Sequence, residues 1–227
     1  MFGFDQVAKA EISFREEGQG QYRALLDAWT LGVASKLSGD RRQTYQAVME
    51  LGPDAKFRPL RFEQTVSKKD GNGVKVRVKR YDFDYDRESV RYVRIKNGKE
   101  GKPVFLAMKK GTAAADFLTT FVNYRMGFYG RPHPGKPLIL ETFARGGYSQ
   151  IRIEATSVDQ LKQREFFQGC PGLNRVILDP EVFDTGGGDV FVCLDGAGRP
   201  LRGAVENVLN LGDVLGRLIV DGDESIF

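Results

Sequence analysis

The stretch Val74-Lys75-Val76-Arg77-Val78-Lys79-Arg80-Tyr81-Asp82-Phe83-Asp84-Tyr85-Asp86 decides how this chain is read. In its first half, valines alternate with basic residues, so one face of a strand is apolar and the other positive. From Tyr81 the parity reverses: Tyr81, Phe83 and Tyr85 take the face that carried the lysines, and Asp82, Asp84 and Asp86 take the face that carried the valines. Side chains alternate with period two along a strand. The reversal therefore requires a bulge near Lys79–Arg80, or a strand that leaves one apolar layer and enters another. Ser89 to Lys96 reads as the returning strand after a turn near Tyr85–Glu88, with Asp82 opposite Arg91 and Tyr81 opposite Tyr92. Long strands that swap their buried face suit strongly curved sheets. The expectation is a mainly β fold made of a single strongly curved antiparallel sheet.

The rest of the sequence has the same punctuation. Strands are expected over Ala10–Arg15, Gln21–Val33, Gln43–Leu51, Leu60–Ser67 and Pro103–Met108. Later ones are Leu138–Phe143, Tyr148–Thr156, Leu173–Phe183, Asp189–Leu194, Arg202–Leu209 and Val214–Val220. Tyr45, Ala47, Met49 and Leu51 share a face, as do Leu60, Phe62, Gln64 and Val66. Asp70-Gly71-Asn72-Gly73 and Arg145-Gly146-Gly147 are hairpin turns, where glycine permits positive φ. One main helix is predicted at Ala113–Met126, with Thr112 as N-cap, Gly127 as its stop and Phe117 and Phe121 on the buried side. It is placed on the concave side of the sheet. Val158–Phe167 could form a second, short helix. With no internal repeat or linker, residues 1–227 read as one β-rich domain.

The 227 residues are 41% hydrophobic and 28% charged, ordinary for a globular chain. No apolar run approaches the ~20 residues of a membrane-spanning helix. The opening Met1-Phe2-Gly3-Phe4-Asp5 lacks the basic start and apolar core of a secretion signal, as in a trimmed mature chain or a cytoplasmic one. The net charge of +4 hides an asymmetry. Arg61 to Lys110 holds 15 Lys and Arg against 7 Asp and Glu, an excess of +8, leaving −4 for the remainder. Such a basic hairpin suits anionic head groups or a solvated, protected sheet face. Its aromatics lie on a different stretch, which argues against nucleic acid.

Catalytic patterns fail one by one. The single histidine, His133, lies in the turn Arg131-Pro132-His133-Pro134-Gly135 with no neighbour to orient it as a base. One histidine and two distant cysteines do not make a zinc site. Asp82-Phe83-Asp84-Tyr85-Asp86 begins like a calcium loop but has Arg87 at the sixth position and Val93 at the twelfth. Gly186-Gly187-Gly188 leads into a strand rather than a helix, so it is no phosphate cradle. If Phe183 opposes Asp189, then Cys193 opposes Asp179 and lies roughly 30 Å from Cys170 at ~3.3 Å per residue. Two free thiols follow unless Gln168–Leu173 folds back. No catalytic residue, metal or cofactor is expected.

Several phrases in order resemble an uncharacterised bacterial family, the domain of unknown function 3108. They are Tyr22-Arg23-Ala24-Leu25-Leu26-Asp27-Ala28-Trp29-Thr30-Leu31-Gly32, Lys56-Phe57-Arg58-Pro59-Leu60-Arg61-Phe62, Asp116-Phe117-Leu118-Thr119-Thr120-Phe121-Val122-Asn123-Tyr124-Arg125, Asp195-Gly196-Ala197-Gly198-Arg199-Pro200-Leu201 and Leu211-Gly212-Asp213-Val214-Leu215-Gly216-Arg217-Leu218. The resemblance spans residues 21–220. It implies an exported protein of the periplasm or outer membrane, and a half-barrel similar to periplasmic lipoprotein carriers with a helix in its mouth. The leading expectation is a non-enzymatic carrier that encloses a lipid or lipoprotein acyl chain in an apolar cavity. Trp29, Phe62, Phe121, Tyr124 and Phe128 would touch the ligand, and Lys75, Arg77, Lys79, Arg94 and Lys96 would face anionic membrane. The alternative is an envelope interaction or assembly module with a packed interior, binding through strand edges or the basic face.

Overall fold

The computed structural model describes residues 7–109, 115–144, 147–180, 189–206, 208 and 213–219. The strands are antiparallel and fall into two sheets rather than one, and neither is strongly curled. That corrects the single curved sheet. The chain forms two compact units, Met1–Asn123 with Glu141–Tyr148 and Tyr124–Leu140 with Ser149–Phe227.

The first unit is built on a meander. β1 (Ala8–Gly18), β2 (Gln21–Thr30), β3 (Arg42–Leu51), β4 (Phe57–Asp70), β5 (Gly73–Asp84), β6 (Ser89–Lys96) and β7 (Lys99–Glu100) each pair with their sequence neighbour. β8 (Val104–Ala107) also pairs with β6. The strand expected through Val33 stops earlier. Gly32, at φ +54, begins a seven-residue helix, α1 (Gly32–Ser38), too short to leave a helical pattern in the sequence. Its end is fixed by Gly39, at φ +72, where an added Cβ would stand 2.1 Å from the Lys69 carbonyl oxygen.

The β5–β6 hairpin has the expected turn and register, Asp82 facing Arg91 and Tyr81 facing Tyr92. No bulge occurs at Arg80, because pairing on both sides of β5 runs through it without a shift. The parity switch is met by a regular strand whose aromatic face is buried in its second half, while in its first half the valine face is half-buried at Val76 and Val78 and exposed at Val74. Tyr81 and Phe83 are buried together with Val90 and Tyr92 of β6; Val93 and Ile95 are buried on the opposite face, the one that carries Val76 and Val78. The bulge lies instead in β4. Val48 pairs with Arg61 but Met49 pairs with Pro59, so Leu60 is the extra residue. Phe57 and Pro59 thereby join Phe62 and Gln64 on the buried face, and Leu60 leaves it.

The predicted main helix is shorter, α2 (Phe117–Arg125). Thr112 lies outside the described residues, and Ala115 is not helical but bridges to Thr142. Asp116 supplies the cap. Its Oδ1 accepts from the backbone N–H groups of Leu118 and Thr119, and its Oδ2 accepts from the Thr119 hydroxyl. The side of α2 that is buried differs from the expected one. Leu118, Thr119, Thr120, Val122 and Asn123 are buried, whereas Phe117 and Phe121 are half-buried. Polar side chains are tolerated there because they are bonded: the Asn123 side chain accepts from Phe57 N–H at 2.9 Å and donates to Phe57 C=O at 2.8 Å.

In the second unit, part of β9 (Leu138–Ala144) and of β10 (Gly147–Ala155) continues into β11 (Leu173–Ile177), β12 (Val190–Leu194), β13 (Pro200–Val205) and β14 (Val214–Arg217). Leu161, Phe167, Leu173, Phe191, Cys193 and Ala204 form its core. Residues 158–167 make a single 3-10 turn at Val158–Gln160, not a helix. The free thiols are also corrected. β11 pairs Leu173 with Cys193, six positions from the expected register, and the preceding turns bring Cys170 back to form a disulfide with Cys193 at a Cα separation of 5.8 Å.

Two outcomes follow. Asn123→Ala leaves both backbone groups of Phe57 unsatisfied and should lower the unfolding free energy by about 2–4 kcal/mol in urea titration. A loss under about 1 kcal/mol would mean that other partners take over. Cys170→Ser opens a bridge spanning 23 residues and should cost about 3 kcal/mol, with the same loss in the wild type under reductant.

Candidate functional site

The two faces of the first sheet offer different chemistry. On the face beneath α2, Phe117 meets Tyr45 and Phe62 edge-on at 5.1 and 5.7 Å between ring centres. Phe62 continues to Tyr81 and Tyr81 to Tyr92, the latter at 4.7 Å. Directly paired residues share a face. Lys79 opposite Arg94 and Arg77 opposite Lys96 therefore extend this aromatic floor toward the β4–β5 turn, with Lys75 next along. All five expected cations lie on one face, joined by Lys68 opposite Lys75. Lys75 is paired with Asp70, and Arg94 donates to the Tyr92 hydroxyl at 2.6 Å. Arg77 and Lys96 are exposed and have no carboxylate partner among the described residues.

The opposite face carries a charge-balanced lattice. Arg61 and Arg91 both bond Asp82, Arg91 and Arg80 both bond Glu100, and Arg80 also bonds Glu63. Beside it lies an open groove of about 600 Å³, lined by Glu50, Arg58, Leu60, Asp82, Arg91 and Phe105 with the β5–β6 turn. Arg58 is paired with Glu50 and stacks over the Tyr85 ring at 4.3 Å, while the Tyr85 hydroxyl donates to the Pro59 carbonyl at 2.8 Å. Burial pushes the Tyr85 phenol well above its ordinary value, so it stays protonated. Of the groove's carboxylates, Glu50 and Asp82 are each held by a guanidinium. The sequence reading missed the groove, because it depends on the Leu60 bulge and on β8. The available signal was the charge alternation at Arg61, Glu63, Arg80, Asp82 and Arg91.

The five residues expected to line a ligand cavity do not form one set. Trp29 pairs with Arg42 and points to the face opposite Phe62, beneath the cations Lys9 and Arg42 at 5.8 and 5.9 Å. Arg42 also holds the Asp27 carboxyl below the usual carboxylate range. Phe62 is buried against Phe117. Phe121 and Tyr124 are half-buried along α2, and Phe128 is exposed beyond its end. His133 is exposed in its turn. Among the described residues no three His, Cys, Asp or Glu side chains are grouped to hold a metal, and no helix is long and apolar enough to cross a membrane. No family model, curated protein or solved structure matches this chain.

Asp116 is the one fully buried carboxyl in this region. Desolvation raises its pKa from 3.8 to about 6, against the three donors that favour the ionised form. The unfolded chain releases this proton near pH 4, the native chain only near pH 6. Between those values the unfolded state holds fewer protons, so stability falls as pH rises through the window. The contribution is complete below about pH 4 and lost above about pH 6, and amounts to roughly 3 kcal/mol at 1.36 kcal/mol per unit. Asp116→Asn removes this titration. In urea unfolding between pH 4 and 6.5, the wild type should lose about 2–3 kcal/mol more than the variant.

Proposed function

We propose that this protein is a non-enzymatic interaction module of a bacterial envelope, docking on anionic lipid head groups through Lys75, Arg77, Lys79, Arg94 and Lys96. The observation that carries the reading is the register of β5 and β6, which gathers these cations on one face with Arg77 and Lys96 unpaired by any described carboxylate. Each cation near an anionic surface contributes about 1 kcal/mol. The resemblance to the domain of unknown function 3108 supports an envelope location, periplasmic or at the outer membrane. The Cys170–Cys193 disulfide supports an oxidising compartment. The alternative of an acyl-chain carrier is less well supported: Phe62 is filled in by Phe117, and Trp29 faces the other side of the sheet.

The test is co-sedimentation with phosphatidylglycerol-containing and purely zwitterionic vesicles. Binding is expected only to the anionic ones and should fade between about 0.1 and 1 M salt, as the Debye length falls from ~10 to ~3 Å. Reversing Lys75, Arg77 and Lys96 to Glu together should weaken it at least ~100-fold. Salt-insensitive binding, or an unaffected triple variant, would overturn the docking. An acyl chain extracted from protein purified without detergent would favour the carrier instead.

A further inference from the structure

β1 is the open edge of the first sheet, and all eleven of its residues are exposed. An edge this long, with Ile12 and Phe14 on it, invites another strand unless it is blunted. Its hydrogen-bonding side can be assigned. The Leu31 N–H donates to the Val7 carbonyl at 2.9 Å, and the β1–β2 register runs without a shift from Ala8 to Glu16. The odd-numbered residues therefore turn their backbone groups toward β2. Ala8, Ala10, Ile12, Phe14 and Glu16 turn theirs outward, unpaired among the described residues.

The side chains on this edge complement their own reverse. Lys9, Glu11, Ser13 and Arg15 share one face, and Glu17, at the irregularity between Glu16 and Gly18, reaches the same face by bonding Arg15 and Arg23, so the row reads plus, minus, neutral, plus, minus. In an antiparallel pair of two such strands, outward-facing residues must oppose outward-facing residues, so the two-fold axis has to pass through a residue position. With the axis at Ser13, Lys9 meets the second copy's Glu17, Glu11 meets its Arg15, and Ile12 meets its Phe14. Moving the axis to Ile12 sets Lys9 against Arg15; moving it to Phe14 sets Glu11 against Glu17. Either shift puts like charges directly opposite, which is destabilising. On the apolar side, Phe14 already stacks on Tyr22 at 5.8 Å and meets Phe57 edge-on at 5.4 Å, so an added Ile12 would extend an aromatic surface.

We propose that two copies of this chain join edge to edge through β1, antiparallel with Ser13 opposite Ser13, continuing the first sheet across a closed two-fold axis. Backbone bonds and the Ile12–Phe14 contacts hold the pair, and the charges fix its register. Lys9 now bonds Glu11 at 3.5 Å, and Glu17 bonds Arg15 and Arg23 at 3.3 and 2.6 Å. The Lys9–Glu11 contact is exposed and worth little, so Lys9 can exchange it across the axis; the Glu17 side chain is half-buried and can keep Arg23 while it meets the second copy's Lys9.

The experiment is analytical ultracentrifugation of the full chain over a wide concentration range. The wild type should show a monomer–dimer equilibrium. Glu11→Arg faces the partner's Arg15, and Arg15→Glu faces the partner's Glu11, so each alone should weaken the dimer at least tenfold. An equal mixture of the two variants sets opposite charges together again and should recover a dimer that contains one of each. Ser13→Cys should yield a disulfide-linked dimer on oxidation, since opposed residues of a non-hydrogen-bonded pair have Cα atoms about 4.5 Å apart. Lys9→Cys alone should not. A monomeric wild type, open-ended oligomers, a mixture no stronger than its components, or equal cross-linking from both cysteine variants would each overturn the proposal.

Discussion

The bidentate contact between the Asn123 amide and the backbone of Phe57 holds the first unit to its helix. Phe57 opens β4 after the β3–β4 turn, and β5 does not reach it, because β4–β5 pairing begins at Arg61. Its N–H and C=O would be stranded in a buried position without a partner from elsewhere. An asparagine side chain offers one acceptor and donors in the geometry of a peptide group, so α2 completes the ladder that the sheet leaves unfinished. Leu118 and Val122 supply area, but the amide fixes where along the strand the helix sits. Asp116 orders the start of the same helix, and its burial without a cation shows how dry that region is.

The Leu60 bulge links this contact to the far face. By adding one residue opposite Val48 and Met49, it turns Phe57 and Pro59 inward and leaves Arg58 outward beside Glu50 and Tyr85. Beyond it, Phe62 and Gln64 resume the buried face while Arg61 and Glu63 join the ion-pair lattice. Both the aromatic floor beneath α2 and the groove on the other side thus depend on a single inserted residue. The lattice is half-exposed and electrically balanced, so its contribution lies in aligning the four strands β4 to β7 more than in net stability.

Strands with clean period-two patterns were legible in the sequence to within a few residues, including the turn and register of β5–β6. The pairing of Lys79 with Arg94 and Arg77 with Lys96 follows directly from that register, so the basic face was legible too. What failed depended on partners rather than pattern. The parity change looked like a local defect because nothing in Val74–Asp84 shows that Val93 and Ile95 will be buried on the second face. Nothing in Pro59-Leu60 marks a bulge, so period two puts Leu60 on the face of Phe62, which the pairing of Met49 with Pro59 overrides. On α2 hydrophobicity alone favours the aromatic side, whereas Thr119, Thr120 and Asn123 are buried because each has a hydrogen-bond partner that the sequence does not display. The disulfide was missed because a hairpin was extrapolated through residues that turn back instead.

The meander has a kinetic side. Apart from the α1 crossing between β2 and β3, strands β1 to β7 are joined by short connections, so each can zip onto the one before it as soon as both exist. The piece that covers them arrives late: Asn123 follows Phe57 by 66 residues. During synthesis the floor of Tyr45, Phe62 and Tyr81 therefore stands complete and uncovered for some seconds, at about 5–20 residues per second. In that interval the nascent sheet is an adhesive surface, and the hairpins that build it close well before the element that makes it safe exists.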